Sequence, residues 1–397
     1  MNKTDVIVVG AGISGLSLAH YAKKAGLHVI VLEKESKPGG SFDTFNLPNS
    51  ENGFWIELGA HTCYNSYGNL IEIMEQCGVI GAIRPRAKVP YRLWIDGKFK
   101  SFMGQIGFLE LLSSLPKAFG KKKTGETVAS YYGSILGKRN FEKVFSALFS
   151  AVPSQKADDF PADALFKKRD RRKDILKDYT MNNGLQSITD SIVKHNQLEV
   201  VCGVQIESIT KSNDGFLVKC GAGEYSGKHL AICTPVGVAP KLISASFPDV
   251  AGKISQLKYQ TIESLGVIVP KESLTQKPFA GLVPINDDFF SIVSRDTVPD
   301  DRFRGFTFHF KPGVLTWRQK TEKVCNILGI DTGQIVEMRE KSNVVPSLRL
   351  GHNELVHEID RLLQGTGLYI SGNYFAGLSI EDCVIRSKTE VERMAKG

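Results

Sequence analysis

The chain of 397 residues is marked first by what it does not contain. No stretch reaches 18 uninterrupted apolar residues, so a membrane-spanning helix is not expected. The N-terminus has no basic head with a long apolar run behind it. Its apolar residues from Val6 onward are broken by glycine, which argues against a signal peptide. No CxxC pair occurs. The cysteines (Cys63, Cys77, Cys202, Cys220, Cys233, Cys325, Cys383) are scattered and odd in number. They support neither a disulfide framework nor a zinc site, no metal ligand set is read, and a reducing cytoplasm is the expected compartment. No aromatic-interleaved basic module accompanies the positive charge, so nucleic acid is not an expected partner. No Ser/His/Asp or Cys/His constellation is evident either.

What is present is ordinary globular composition, 42% hydrophobic and 23% charged, over a length that suits two or three domains. The net charge is +8. Part of the surplus is local, in Lys121, Lys122 and Lys123 and in KKRDRRK at 167–173. Such runs fit a solvated surface, or contact with anionic lipid or an acidic substrate.

The most informative stretch is VIVVGAGISGL at 6–16. Val6 to Val9 read as a strand buried on both faces. Gly10, Gly12 and Gly15 follow in GxGxxG spacing, then a helix that Gly26 closes, then a second apolar run ending at Glu33. Gly10 permits a tight turn, Gly12 lets the backbone approach a pyrophosphate, and Gly15 lets helix and strand pack closely. Glu33 stands where an acid accepts ribose hydroxyls. This βαβ unit predicts dinucleotide binding at the N-terminus of its helix.

A second glycine pair, Gly39 and Gly40, follows soon after Glu33. An NAD domain does not need it, whereas a flavin enzyme does. With GAGxxGL, a strand ending in Glu and a GG loop, the chain resembles the FAD-dependent amine oxidase and protoporphyrinogen oxidase superfamily. IELGAH at 56–61 resembles the segment that approaches the flavin. Asn183-Gly184-Leu185-Gln186 stands where that family has Gly-Gly-Met-Gln. Gly351-His352 and GLYISGNYFAGLSIEDCVIRS at 367–387 resemble its closing pattern. Ser41 departs from the family, which often has Arg there. The resemblance implies FAD as cofactor. It carries cofactor contacts onto Gly10, Ala11, Gly12, Ser14, Gly15, Glu33, Lys34, Gly39, Gly40, Ser41, Gly59, Ala60, His61, Ile206, Thr234, Gly372, Asn373, Ser379 and Ile380.

The implied fold class is α/β: a Rossmann-like FAD-binding domain, a mixed-sheet substrate domain and a helical subdomain. The FAD-binding domain is expected from 1–80, 181–240 and 341–397, the substrate and helical region from 81–180, and the substrate sheet from 241–340. Residues 84–102 read as a hairpin around Asp96-Gly97. Residues 105–120 are apolar and mostly helical, broken at Pro116. They suit either a shallow foot on an anionic membrane or a helix packed in the substrate domain.

The implied activity is oxidation of a small-molecule substrate by hydride transfer to FAD, with O2 as acceptor. A protoporphyrinogen or coproporphyrinogen is the first substrate reading. An amine, or a hydrophobic metabolite undergoing desaturation, is the second. A redox-neutral mutase or a flavin-binding protein without turnover is the third. Arg84, Arg86, Lys88 and Arg92 are candidate partners for a substrate carboxylate. Lys311 is a weak candidate for the lysine that holds a flavin-facing water in many amine oxidases. His352 reads as structural.

Overall fold

The structure, a computed structural model, describes residues 2–50 and 53–396. Residues 1 and 397, the outer ends of the expected first and last segments, lie outside it. The strand Asn2–Val9, the helix Ile13–Lys24 and the strand Val29–Leu32 form the βαβ unit read from the glycine spacing. Val6, Ile7 and Val8 have no exposed surface, as expected of a strand covered on both faces.

Five strands run parallel in the first sheet. Their order is Glu199–Val201, Val29–Leu32, Asn2–Val9, Gly223–Ile232, Leu368–Ile370. The long strand Gly223–Ile232 also pairs antiparallel with Gly215–Cys220, which turns back on Ile206–Ser212. The two chain ends thus share one sheet. The last helix, Ile380–Met394, packs on the first, and its Ser387 hydroxyl donates to the Ser14 carbonyl at 2.7 Å.

The second sheet has seven strands, in the order Glu337–Pro346, Tyr259–Pro270, Phe303–Phe310, Phe289–Ser294, Gly281–Pro284, Tyr91–Ile95, Lys98–Ser101. It extends to Pro346, past the boundary expected at 340. The hairpin at Asp96-Gly97 forms because both residues take positive φ, 51° and 72°. Only Tyr91–Ile95 and Lys98–Ser101 belong to it. Arg84 lies in Ile83–Pro85, a strand of a separate small sheet with Asp178–Met181.

Alternation along Phe303–Phe310 splits its side chains between two faces. Phe306, Phe308 and Phe310 point into a core closed by the helix Trp317–Leu328. Gly305, Thr307 and His309 point the other way, toward the segment 54–61 of the first domain. The helical part over 108–166 has its own small core around Val128, Phe141, Phe160 and Leu165.

Candidate active site

The three loop glycines do not have the same cause. Gly10 has φ +104°, and a Cβ there would lie 2.7 Å from the Cys233 carbonyl oxygen. A Cβ on Gly15 would lie 1.9 Å from the Gly10 carbonyl oxygen. Both are required by the protein's own packing. Gly12 is not: its backbone is extended (φ −75°, ψ 179°), and a Cβ would meet nothing closer than Gly40 Cα at 3.8 Å. The space beside Gly12 is a cradle that a side chain would fill. Among the described residues no side chain caps the helix that starts at Ile13, which leaves its first N–H groups to an anion.

Glu33 is buried and accepts from the Ala11 N–H at 2.6 Å and the Glu35 N–H at 2.9 Å. Each carboxylate oxygen retains a further lone pair for a ribose hydroxyl. Val204 N–H donates to the Glu33 carbonyl at 2.9 Å, and the strand beginning at Ile206 therefore starts beside the acid. Thr234 Oγ1 is buried without a partner among the described residues, one residue from the Cys233 carbonyl that abuts Gly10. A cradle, an acid and an orphaned hydroxyl at one loop fit a dinucleotide.

The second glycine pair folds back on the first. Gly39 N–H donates to the Ala11 carbonyl at 2.9 Å, and Gln186 Nε2 holds the Pro38 carbonyl at 2.7 Å. A Cβ on Gly39 would lie 2.5 Å from that amide nitrogen, so Gly39 makes room for Gln186. The Ser41 carbonyl accepts from Ala60 N–H at 2.8 Å, joining the loop to Gly59-Ala60-His61. Ser41 leaves the loop without its expected arginine. A lysine of the second sheet stands there instead: Lys341 Nζ lies 2.6 Å from the Gly40 carbonyl and 2.7 Å from Asp43. Lys34 pairs with Glu35 at the surface.

Gly372 and Asn373 follow the strand Leu368–Ile370, and Ser379 caps the last helix by accepting from Asp382 N–H at 3.1 Å. Ile380 opens that helix. The basic run at 167–173 is not a plain solvated surface. Arg169 reaches Asp382 at 2.7 Å and Ser379 at 3.1 Å, Lys167 also pairs with Asp382, and Arg172 grips Glu75 and Asp174. The run straps the start of the last helix.

Opposite the glycine loops lies the non-aromatic face of the second sheet. Lys341, Ser264, His309 and Ser291 are in register across four neighbouring strands. Asn343 Nδ2 donates to the Leu58 carbonyl at 2.9 Å and to Ser264 Oγ at 3.0 Å. Ser264 must then give its own proton to His309 Nδ1, 3.0 Å away. This relay fixes His309 as the tautomer protonated on Nε2, and no described residue takes that N–H. Burial, then the neighbouring His61, pushes the His309 pKa down to about 3, so the ring stays neutral. Burial and then Arg86 hold His61 down to about 4.

A small cavity adjoins this face. Glu57, His61, Arg86, Thr180, Arg295 and Thr307 are among its walls. Glu57 is buried, accepts from Leu185 N–H at 2.7 Å and the Thr44 hydroxyl at 2.8 Å, and has its pKa lifted by burial to about 7. Of the expected substrate residues, the structure brings Arg86 to the cavity. Arg84 is near enough for its charge to act on Arg295, whereas Arg92 lies on Tyr91–Ile95 in the second sheet, paired with Ser101. Lys311 follows His309 by two residues, but its Nζ sits 5.8 Å from the Phe290 ring centre and its N–H donates to the Asp288 carbonyl. Ser264, Ser291, His309, Asn343, Arg295 and Thr180 were not apparent from the sequence. The one signal was the alternation of Phe with Gly, Thr and His in FRGFTFHF.

Fold and cradle together define a dinucleotide-binding protein whose second sheet closes over the site. The model of the family described as flavin containing amine oxidoreductase matches residues 13–299. The chain belongs to that family, and its cofactor is FAD. Among curated proteins, it is 30% identical over 115 residues to a probable flavin-containing monoamine oxidase A of Dictyostelium discoideum, matching 29% of this chain and 24% of that protein. It is 37% identical over 103 residues to a flavin-containing amine oxidase of Oncorhynchus mykiss, 26% of this chain and 19% of that one. The chain thus aligns with under a quarter of each relative's length. Among solved structures, it superposes on a "putative protoporphyrinogen oxidase" from Exiguobacterium sp. 255-15 with TM-score 0.80 and 16% identity, over 99% of this chain and 98% of that one. Cyclohexylamine oxidase from Brevibacterium oxydans gives TM-score 0.71 and 14% identity over 99% of both. At these identities the likeness is one of fold.

Proposed function

We propose that this chain is an FAD-dependent oxidase of a carboxylate-bearing reduced tetrapyrrole, protoporphyrinogen or coproporphyrinogen, with O2 as the final acceptor. The carrying observation is the sign of charge at the site. Arg86 and Arg295 flank the cavity. Glu57, the carboxyl in its wall, has its pKa lifted by burial to about 7 and is engaged by Leu185 and Thr44. Asp178, the ion-pair partner of Arg86 at 3.5 Å, is 43% exposed. An amine enters as a cation and is repelled by such a wall, while a carboxylate is attracted. The alternative, an amine oxidase or desaturase, draws on the names of the relatives but not on this charge.

Bound FAD supplies the two-electron acceptor, which O2 restores with release of hydrogen peroxide. The chain's own residues do the rest. Gly12 and the open helix start hold the diphosphate, Glu33 the ribose, and Thr234 a further polar atom. The sheet face around Ser264, His309 and Asn343 keeps water from the reacting side and offers a single fixed N–H donor. Holoprotein given coproporphyrinogen should consume O2 while porphyrin fluorescence grows. Oxidation of amines with no porphyrin fluorescence would replace this reading by the alternative. A requirement for added reductant without O2 uptake would point to a mutase.

We also propose that the helical part docks on an anionic membrane. No described helix is long and apolar enough to cross a bilayer. Over 103–119, however, Leu109 is 86% exposed, Phe119 89% and Leu112 64%, with Met103 and Phe108 also at the surface. Lys117, Lys121, Lys122 and Lys123 accompany them in sequence. Exposed apolar side chains with lysines close in sequence fit shallow insertion between anionic headgroups. Cosedimentation with phosphatidylserine vesicles should be lost in a Leu109→Ser, Phe119→Ser double variant. Equal pelleting of both proteins would refute it.

A further inference from the structure

We infer that the small cavity between the second sheet and the 55–61 segment is a built carboxylate subsite, formed by Arg86, Arg295 and Thr180. The inference rests on the proposed anionic substrate and says where its carboxylate goes. The cavity measures about 30 Å³, room for roughly two water-sized groups such as a pair of carboxylate oxygens.

Its walls hold donors that the protein does not use. Thr180 is 1% exposed, and its Oγ1 has no partner among the described residues. Arg295 Nε is likewise buried and unpartnered. The Arg295 guanidinium lies over the rings of Phe54 and Trp55, 4.4 and 4.6 Å from their centres, and gives Nη1 to the Val298 carbonyl. That stacking fixes its plane and leaves the Nε edge free. The Arg86 side chain is 9% exposed and has one long ion pair, to Asp178. Buried donors left open are costly, about 1–3 kcal/mol each, so two in one cavity mark a place for an acceptor.

Charge selects the acceptor. Two guanidinium groups face a wall whose one carboxyl, Glu57, already has both oxygens engaged by Leu185 and Thr44. His61 adds no charge near neutrality. The surplus is positive and buried, which suits a monoanion with two acceptor atoms better than water. Position makes it a substrate subsite: Thr307 links the cavity wall to Glu57's carbonyl on the strand that also carries His309, and His61 follows the Gly59-Ala60 pair.

Bromide tests the anion site without a known substrate, and acetate tests its role in turnover. Crystals of FAD-loaded protein soaked in sodium bromide should show an anomalous peak within hydrogen-bond reach of Thr180 Oγ1 and Arg295 Nε. Acetate should displace that peak and inhibit turnover of the anionic substrate competitively. Thr180→Val, which keeps shape and removes one donor, should raise the acetate inhibition constant about tenfold. Arg295→Lys should raise it further, and Thr180→Val serves as the folded control if Arg295→Lys does not fold. A cavity holding only water overturns the inference. Bromide binding with no competitive effect of acetate overturns the substrate role and leaves a free-anion site. Failure of porphyrinogen as substrate would not move the bromide peak, so the two proposals fail separately.

Discussion

One strand, Phe303–Phe310, presents two chemistries. Its Phe306, Phe308 and Phe310 are at most 1% exposed and close a core with Val324 and Ile327. Its Gly305, Thr307 and His309 are also buried, but they face the 54–61 segment of the first domain instead of that core. Gly305 yields space to Ile56 and Phe54, Thr307 ties down the Glu57 carbonyl, and His309 ends a hydrogen-bond relay. The aromatic face is explained by the protein alone. The other face has an unclaimed N–H and a cavity with unclaimed donors, so its explanation includes something the chain does not supply. The same division runs through the glycine loop, where Gly10 and Gly15 serve packing and Gly12 serves a ligand.

The strongest way to break this comparison is Phe308→Ala. Removing a fully buried ring should cost about 3–5 kcal/mol of unfolding free energy. The folded fraction should keep its flavin and its turnover. Urea unfolding measures the first and absorbance per folded protein the second. A large loss of flavin affinity in the folded fraction would show that the two faces are not separable.

The next effect is pH dependence. His309 is held neutral in the folded protein with a pKa near 3, far below its ordinary value of 6.5. Between these values the unfolded chain binds a proton that the folded one refuses, so stability falls as pH falls from about 6.5 toward 3, at up to about 1.4 kcal/mol per pH unit. Between pH 7 and 5.5, wild type should lose about 1 kcal/mol more than His309→Gln. His61 contributes a like loss to both proteins and cancels. Identical pH profiles would mean that His309 takes up its proton as readily in the fold as in the unfolded chain.

Much of the first domain was legible because its signals are local. Gly10, Gly12, Gly15 and Glu33 lie within one βαβ unit, so their spacing along the chain already carries the motif. The closing segment, 367–387, was legible through its likeness to a family. The substrate side was not. Ser264, Ser291, His309 and Asn343 come from four strands, and only the strand register brings them together. Alone, each is a polar residue in an unremarkable strand. The basic run at 167–173 shows the reverse error. Its charge suggested solvent or lipid, yet Asp382, more than 200 residues away, takes two of its side chains. Arg86 was singled out for its chemistry, but Arg295 and Thr180, which complete its cavity, carried no local mark.

The smallest expected effect on stability is also the sharpest test. Gly12→Val puts a branched side chain where the protein has only Gly40 Cα within 4 Å, on a backbone of ordinary extended geometry. The unfolded chain loses freedom, whereas a branched residue is a poorer helix N-cap than glycine, so the two effects oppose and apoprotein stability should change by only about 1 kcal/mol. Flavin retention should nevertheless vanish, because the side chain occupies the space a diphosphate needs. Gly15→Val is the contrast. Its Cβ would collide with the Gly10 carbonyl at 1.9 Å, and the protein should fail to fold. If Gly12→Val purified yellow, the cradle would not be the diphosphate site. If it unfolded like Gly15→Val, the distinction between glycines for packing and glycines for ligand would be wrong at its clearest point.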